Sequence, residues 1–251
     1  MIFITGDTHG DFTRFSSENF PEQKRMNKED FVIICGDFGG LWDGTRKEHY
    51  WLAWLENKPF TTLFVSGNHE NYDLLSTYAV EQWRGGKGQF LRPSVIHLMR
   101  GQVFDLGGKR VFTMGGASSH DITDGILDPK APDFRSRKKQ LDARRALYRI
   151  NRKSWWAEEL PSEEEYREAE RNLDTCGRQA DFIISHCCPS SVVDIIGSGM
   201  YQHDRLTNYF ETLKDSCQFQ YWFFGHYHEN RAIERKYILL YEQIIQVEPP
   251  E

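Results

Sequence analysis

Apolar residues along this chain gather into short runs, and five of those runs stop abruptly at a polar side chain able to bind metal. Residues 1–5 (MIFIT) lead into Gly6, Asp7 and then His9; residues 31–35 (FVIIC) lead into Gly36-Asp37. Residues 62–66 (TLFVS) reach Gly67-Asn68-His69, residues 181–185 (DFIIS) reach His186, and residues 221–225 (YWFFG) reach His226 and His228. Runs of this length bounded by glycine predict buried strands. Open α/β sheets bind ligands at the carboxyl ends of their strands. The pattern therefore predicts one site assembled from five distant segments.

Between the first runs the pattern alternates as strand, helix, strand. A helix is expected after Asp11, which can cap it. A tryptophan-rich helix is expected around His49–Asn57, and another near Tyr72–Trp83. This alternation predicts α/β architecture. The middle differs: Val95–Leu98, Val103–Leu106 and Arg110–Met114 read as short strands separated by glycine turns, notably Gly107-Gly108, and predict a hairpin or meander within mixed sheet. Tyr237–Val247 adds more strand-like sequence. Residues 117–180 read as an insertion with segregated charge within a single domain spanning residues 1–251. Phe134–Lys153 holds nine Lys or Arg and one acid, then Trp155-Trp156 precedes an acidic run from Glu158 to Asp174. Ser162 and Glu165 have capping-box spacing, and Gly177 can end that helix. Two solvated helices that pair their charges are the simpler expectation. Arg135 and Arg137 are the arginines considered for a phosphate, with solvated surface preferred for both.

Composition narrows the partners. With 251 residues, 39% hydrophobic and 27% charged, the chain has material for a substantial core. A net charge of −6 supplies no global basic field for long nucleic acids. The apolar start gives way at once to Gly6-Asp7, so no signal-peptide core is expected, and no run approaches the ~18 residues of a membrane span. Five cysteines without C-x-x-C spacing read as packed, reduced thiols, including Cys187-Cys188 beside His186, and suit a cytoplasmic protein.

The chemistry follows from donor types. In an extended segment, residues i and i+2 share a side, so Asp7 and His9 can face one ion, as can His226 and His228. Asp37 offers two oxygens and can bridge, Asn68 offers a neutral carbonyl oxygen, and His186 adds an imidazole. Seven mixed oxygen and nitrogen donors exceed one tetrahedral site and suit two ions sharing a bridge. Without a thiolate, the set admits Mn²⁺, Fe, Zn²⁺ or Ni²⁺.

Taken in order, Asp7-x-His9, Gly36-Asp37, Gly67-Asn68-His69-Glu70, His186 and Gly225-His226-x-His228 resemble the five blocks of the calcineurin-like metallophosphoesterase superfamily. The blocks span nearly the whole chain. The resemblance implies a four-layer α/β/β/α sandwich of two mixed sheets flanked by helices. It implies that Asp7, His9, Asp37 and His228 hold one ion and Asp37, Asn68, His186 and His226 the other. It implies a catalytic role for His69, which would donate a proton or stabilise charge near the leaving oxygen. The implied reaction is hydrolysis of a phosphodiester or phosphomonoester, with a nucleotide-type small substrate favoured, by attack of a metal-bridging hydroxide. Protein phosphatases of the superfamily carry Asp-Arg-Gly after the second block; here Phe38-Gly39-Gly40 follows. Met114–Ser118 and Trp155-Trp156 resemble bacterial and phage members instead.

Two other readings compete. A silent metal-binding scaffold would have lost ligands or His69, and none is lost. An amidohydrolase would place its His-x-His pair after the first strand, whereas here it comes last. His49, His97, His120 and His203 lie outside the blocks and are expected in structural or surface roles, although His120 follows the Gly115-Gly116 turn and can approach the pocket.

Overall fold

A computed structural model describes residues 1–247. In chain order the elements are β1 (Ile2–Thr5), β2 (Phe31–Ile34), α1 (Arg46–Glu56), β3 (Thr61–Phe64), α2 (Tyr72–Leu75), β4 (Val80–Trp83), β5 (Gly86–Arg92), β6 (Val95–Leu98), β7 (Gln102–Leu106) and β8 (Lys109–Met114). They continue with β9 (Ile126–Leu127), α3 (Phe134–Ala143), β10 (Arg149–Ile150), α4 (Glu163–Thr175), β11 (Phe182–Ser185), α5 (Ser190–Gly197), α6 (Arg205–Ser216), β12 (Tyr221–Phe224), β13 (Arg231–Ile233), β14 (Tyr237–Leu239) and β15 (Ile244–Val247).

Among the described residues the strands form two large mixed sheets, ordered β15-β1-β2-β3-β6-β5-β4 and β13-β14-β12-β11-β8-β7, and a small β9-β10 pair. The strands that read as continuous apolar runs are buried on both faces, and the alternation of their side chains assigns each face a neighbour. Ile4, Ile33 and Leu63 of the first sheet meet Val111, Ile184 and Phe223 of the second in one core. Phe3, Val32, Ile34 and Phe64 point the other way, to Leu52 and Leu55 of α1. On the far side, Phe112, Ile183 and Trp222 pack against Leu173 of α4, Val193 of α5 and Phe210 of α6. This is the expected α/β/β/α sandwich. Each such side chain, fully buried, contributes about 1.5–3 kcal/mol before entropy is counted.

Two expected helices are corrected. After Asp11 there is only a short 3₁₀ turn at Thr13–Phe15 and another at Pro21–Arg25. Phe12, Phe15 and Phe20 are buried there without a helical period, so sheet packing sets the path. The helix at Tyr72 ends at Leu75, where the buried Gln89 amide donates to the Leu75 and Tyr78 carbonyls at 3.0 Å each. Val80–Trp83 then pairs antiparallel with β5 as an edge strand. The hairpin around Gly107-Gly108 forms as expected between β7 and β8. The capping box of Ser162 and Glu165 opens α4. The ion pairs described for α4 run to Arg100, Lys87, Arg178 and Arg205 and not to α3, so the two charged helices do not pair with each other.

Candidate metal centre

All five strand-end segments converge at the carboxyl edge of the two sheets. Asp7 and Asp37 are each 1% exposed. Backbone amides grip them: His226 N–H donates to Asp7 across the sheet boundary at 3.0 Å, and His69 N–H, from the neighbouring strand of the same sheet, donates to Asp37 at 2.8 Å. Those contacts require glycine beside each carboxylate. A Cβ on Gly67 would stand 2.0 Å from Asp37 Oδ1, and a Cβ on Gly225 would stand 2.0 Å from Asp7 Oδ1. Four site residues, His9, Asp37, His226 and His228, adopt positive φ, between 46° and 73°. Such strain persists only where the surroundings over-determine it, and it concentrates at functional sites.

The side chains form overlapping donor groups. Asp7, His9 and His228 place ligand atoms within 4.8 Å of one another, as do His9, Asp37 and His69, and Asp7, Asp37 and His186. His9 Nε2 and His228 Nε2 stand 3.0 Å apart, and His228 Nε2 lies 3.2 Å from Asp7 Oδ2. His186 Nε2 lies 3.3 Å from Asp37 Oδ1 and 3.2 Å from Asn68 Oδ1. Its Nδ1 is 2.7 Å from the Cys35 carbonyl, which orients the ring and turns Nε2 inward. His226 belongs to none of the three donor groups; its ring lies 5.0 Å from that of His186, and its Nε2 is 3.1 Å from His120 Nε2. His120 is thus at the site, against the expectation of a structural role, and Tyr201 stacks on it at 4.6 Å. His97 is core, as expected, and His203 pairs with Asp194 at the surface.

Electrostatics explain what the centre needs. Among the described residues, no Lys or Arg forms an ion pair with Asp7 or Asp37; their charged partners are histidines. Burial opposes a charge on His186, yet the Asp37 and Asp7 carboxylates push its pKa up to about 9. Burial likewise works against ionised Asp37, but His186 above all holds that carboxyl well below its usual range. Burial pulls His9 and His69 below the ordinary histidine value. The chain's own answer to two buried carboxylates is therefore a proton on imidazole. Buried carboxylates, an amide oxygen and clustered imidazoles without a basic side chain form a donor set that fits divalent cations.

Several supporting residues escaped the sequence reading. Arg14 donates to the Asp7 carbonyl at 2.7 Å and to the Tyr241 carbonyl at 2.6 Å, tying the end of β1 to the segment before β15. Glu159, 3% exposed, accepts from Ser119 Oγ at 2.7 Å. Ser119 Oγ in turn takes the Asn68 amide N–H at 3.4 Å, which leaves Asn68 Oδ1 facing His186. Trp156, which follows Trp155 in the insertion, is buried against Trp42. Glu70 is buried and receives the Phe38 N–H at 2.8 Å; burial, then Asp37, raises its pKa to about 8. Asn71 caps α2, as a helix-starting residue should.

The insertion also delivers Arg149 to His69. Arg149 Nη2 stands 3.0 Å from His69 Nε2 and Nη1 stands 3.4 Å from Nδ1. Arg135 and Arg137 remain exposed on α3, in keeping with solvated surface. Nothing in a run of nine basic residues singles out Arg149; its burial depends on Asp121, twenty-eight positions earlier.

A family model described as calcineurin-like phosphoesterase matches residues 1–230. No curated protein matches the chain. Among the described residues, no helix is long and apolar enough to cross a membrane.

Proposed function

The chain belongs to the calcineurin-like phosphoesterase family, and on that premise we propose that it hydrolyses small phosphate esters at a centre of two divalent cations. The observation that carries this reading is the convergence of Asp7, His9, Asp37, His186 and His228 into overlapping donor groups around two buried carboxylates. Asp7, His9, Asp37 and His228 would hold one ion. Asp37, Asn68, His186 and His226 would hold the other, with Asp37 shared. Bound there, Mn²⁺, Fe, Zn²⁺ or Ni²⁺ would supply Lewis-acid charge to the phosphoryl oxygens and a water acidic enough to react near neutral pH.

The remaining work belongs to side chains. Burial lowers the pKa of His69, and its ring would stabilise the leaving oxygen and pass it a proton. The amide-gripped carboxylates and the strained loops hold the site in one arrangement, so little reorganisation is needed as charge develops. Tyr201 on His120 and Tyr241 on His228, each pair stacked at 4.6 Å, frame the mouth with aromatic surface that suits a nucleoside leaving group.

The test is a panel of p-nitrophenyl phosphate, bis-p-nitrophenyl phosphate and cyclic nucleotides, assayed with Mn²⁺, Ni²⁺ and Zn²⁺ and after chelation. Metal-dependent release of product from at least one ester, lost with chelator and restored by metal, is the expected result. A metal-loaded sample inert toward every ester removes the proposal.

A further inference from the structure

Arg149 is only 9% exposed, and its guanidinium is largely committed. Nε donates to Asp121 Oδ1 at 2.7 Å and Nη2 to Asp121 Oδ2 at 2.8 Å, a side-on bidentate pair. Nη1 donates to the Ser154 carbonyl at 2.9 Å. A guanidinium carries five N–H groups. Three are spent, and the two that remain form the end-on fork shared by Nη1 and Nη2. That fork faces the two ring nitrogens of His69, at 3.4 and 3.0 Å. A neutral imidazole has one bare nitrogen, so it satisfies at most one of the two donors. A preoriented cationic fork is thus held beside the proposed catalytic histidine with at least one donor unused.

Arginine forks of this kind match two oxygens of a phosphoryl group, with charge-assisted bonds about twice as strong as neutral ones. Asp121 fixes the plane of the fork, whose outward edge lies against His69 with one donor more than that ring can accept. Building on the phosphoesterase reading above, we propose that Arg149 binds the unesterified oxygens of a terminal phosphoryl group, and that the preferred substrate class is accordingly a phosphomonoester. A monoester carries one more unesterified oxygen than a diester, and it brings the additional negative charge that a buried guanidinium rewards. A diester can also offer two unesterified oxygens to a fork, so the preference rests on the third oxygen and the second negative charge that only a monoester brings. The insertion therefore contributes a substrate-binding side chain, from β10, to a site otherwise built from strand-end loops.

The experiment compares wild type with Arg149→Lys, which keeps the charge and loses the fork, and with Arg149→Gln. Each Mn²⁺-loaded protein is assayed on p-nitrophenyl phosphate and bis-p-nitrophenyl phosphate. Inorganic phosphate is titrated into the same samples by calorimetry, while thermal unfolding and bound-metal content report integrity. Wild type should favour the monoester. Arg149→Lys should lower monoester kcat/KM by about 10²-fold, the scale of one lost oxyanion donor, reduce the monoester-to-diester ratio at least tenfold, and weaken phosphate binding by about tenfold or more. If neither Arg149 variant folds, Asp121→Asn, which alters only the partly exposed side of the guanidinium, should shift the ratio and the phosphate affinity in the same direction. A ratio within about threefold of wild type, or unchanged phosphate affinity in a folded, metal-loaded variant, overturns the proposal. So does a wild type that cleaves only diesters, an outcome that leaves the phosphoesterase reading standing. Inactivity on every ester would instead remove that earlier reading.

Discussion

The strand-end loops grip their carboxylates with backbone amides, whereas the insertion holds Arg149 chiefly through the Asp121 side chain, with the Ser154 carbonyl, and Glu159 through both the hydroxyl and the backbone of Ser119. In the loops, His69 N–H on Asp37 and His226 N–H on Asp7 are locked by glycines whose replacement would drive a Cβ into a carboxylate oxygen. In the insertion, Asp121, which clamps Arg149, has a side chain 47% exposed, and Arg152 pairs with Asp73 in an equally exposed bridge. Exposed ion pairs contribute little, about 0–1 kcal/mol. Burial of Trp156 and Leu127 does more to seat this segment. The loops are therefore held by close packing around glycine, and the insertion by a buried apolar seat with partly exposed ion pairs. The proposed metal centre is built on the first, and the proposed substrate contact on the second.

The hardest blow to this contrast falls on the shared carboxylate. Asp37→Asn keeps the shape and removes the charge; turnover should fall by about 10³-fold or more, with bound metal reduced in elemental analysis. A variant retaining activity within tenfold would show that the loops are not the working centre. A smaller effect comes from the insertion's reach toward Asn68. Ser119→Ala removes the hydroxyl that joins Glu159 to the Asn68 amide, and Glu159→Gln weakens that link. Metal affinity should drop about 10–100-fold for Ser119→Ala, and less for Glu159→Gln, as equilibrium metal titration would read. A loss as large as that of Asp37→Asn would erase the distinction between the two regions.

The mildest effect is a background slope with pH that belongs to neither region. His97 is 5% exposed, contacts Gln89 Oε1 through Nδ1 at 2.9 Å, and burial lowers its pKa from 6.5 to about 3. The unfolded chain then binds a proton that the folded chain refuses. The contribution is fully present above pH 6.5 and is lost as pH falls toward 3, by at most about 1.4 kcal/mol per pH unit. Chemical denaturation across that range should show the slope, and His97→Gln should flatten it.

What could be read in advance follows the same division. Asp7, Asp37, Asn68 and His186 stood out because a doubly buried strand is a short, mostly apolar run, and each lies within four residues of the end of its strand. The crossover after Asp11 was not, because Phe12, Phe15 and Phe20 are buried by the sheet they cover and follow no period of their own. The end of α2 depended on Gln89, fourteen residues beyond Leu75. Arg149 looked like its eight basic neighbours until Asp121 and the Ser154 carbonyl set it apart. Chemistry carried by backbone geometry leaves a local signature, whereas chemistry carried by distant side-chain partners does not.

The contacts of Asp7 with the backbone of His226 and the ring of His228 join residues 219 and 221 positions apart. A ribosome must therefore release the chain through His228 before these groups can meet. Partly synthesised chains hold His9, Asp37 and His69 but lack the pairing of Asp7 with His226 and His228, so the full donor set is completed only late in synthesis.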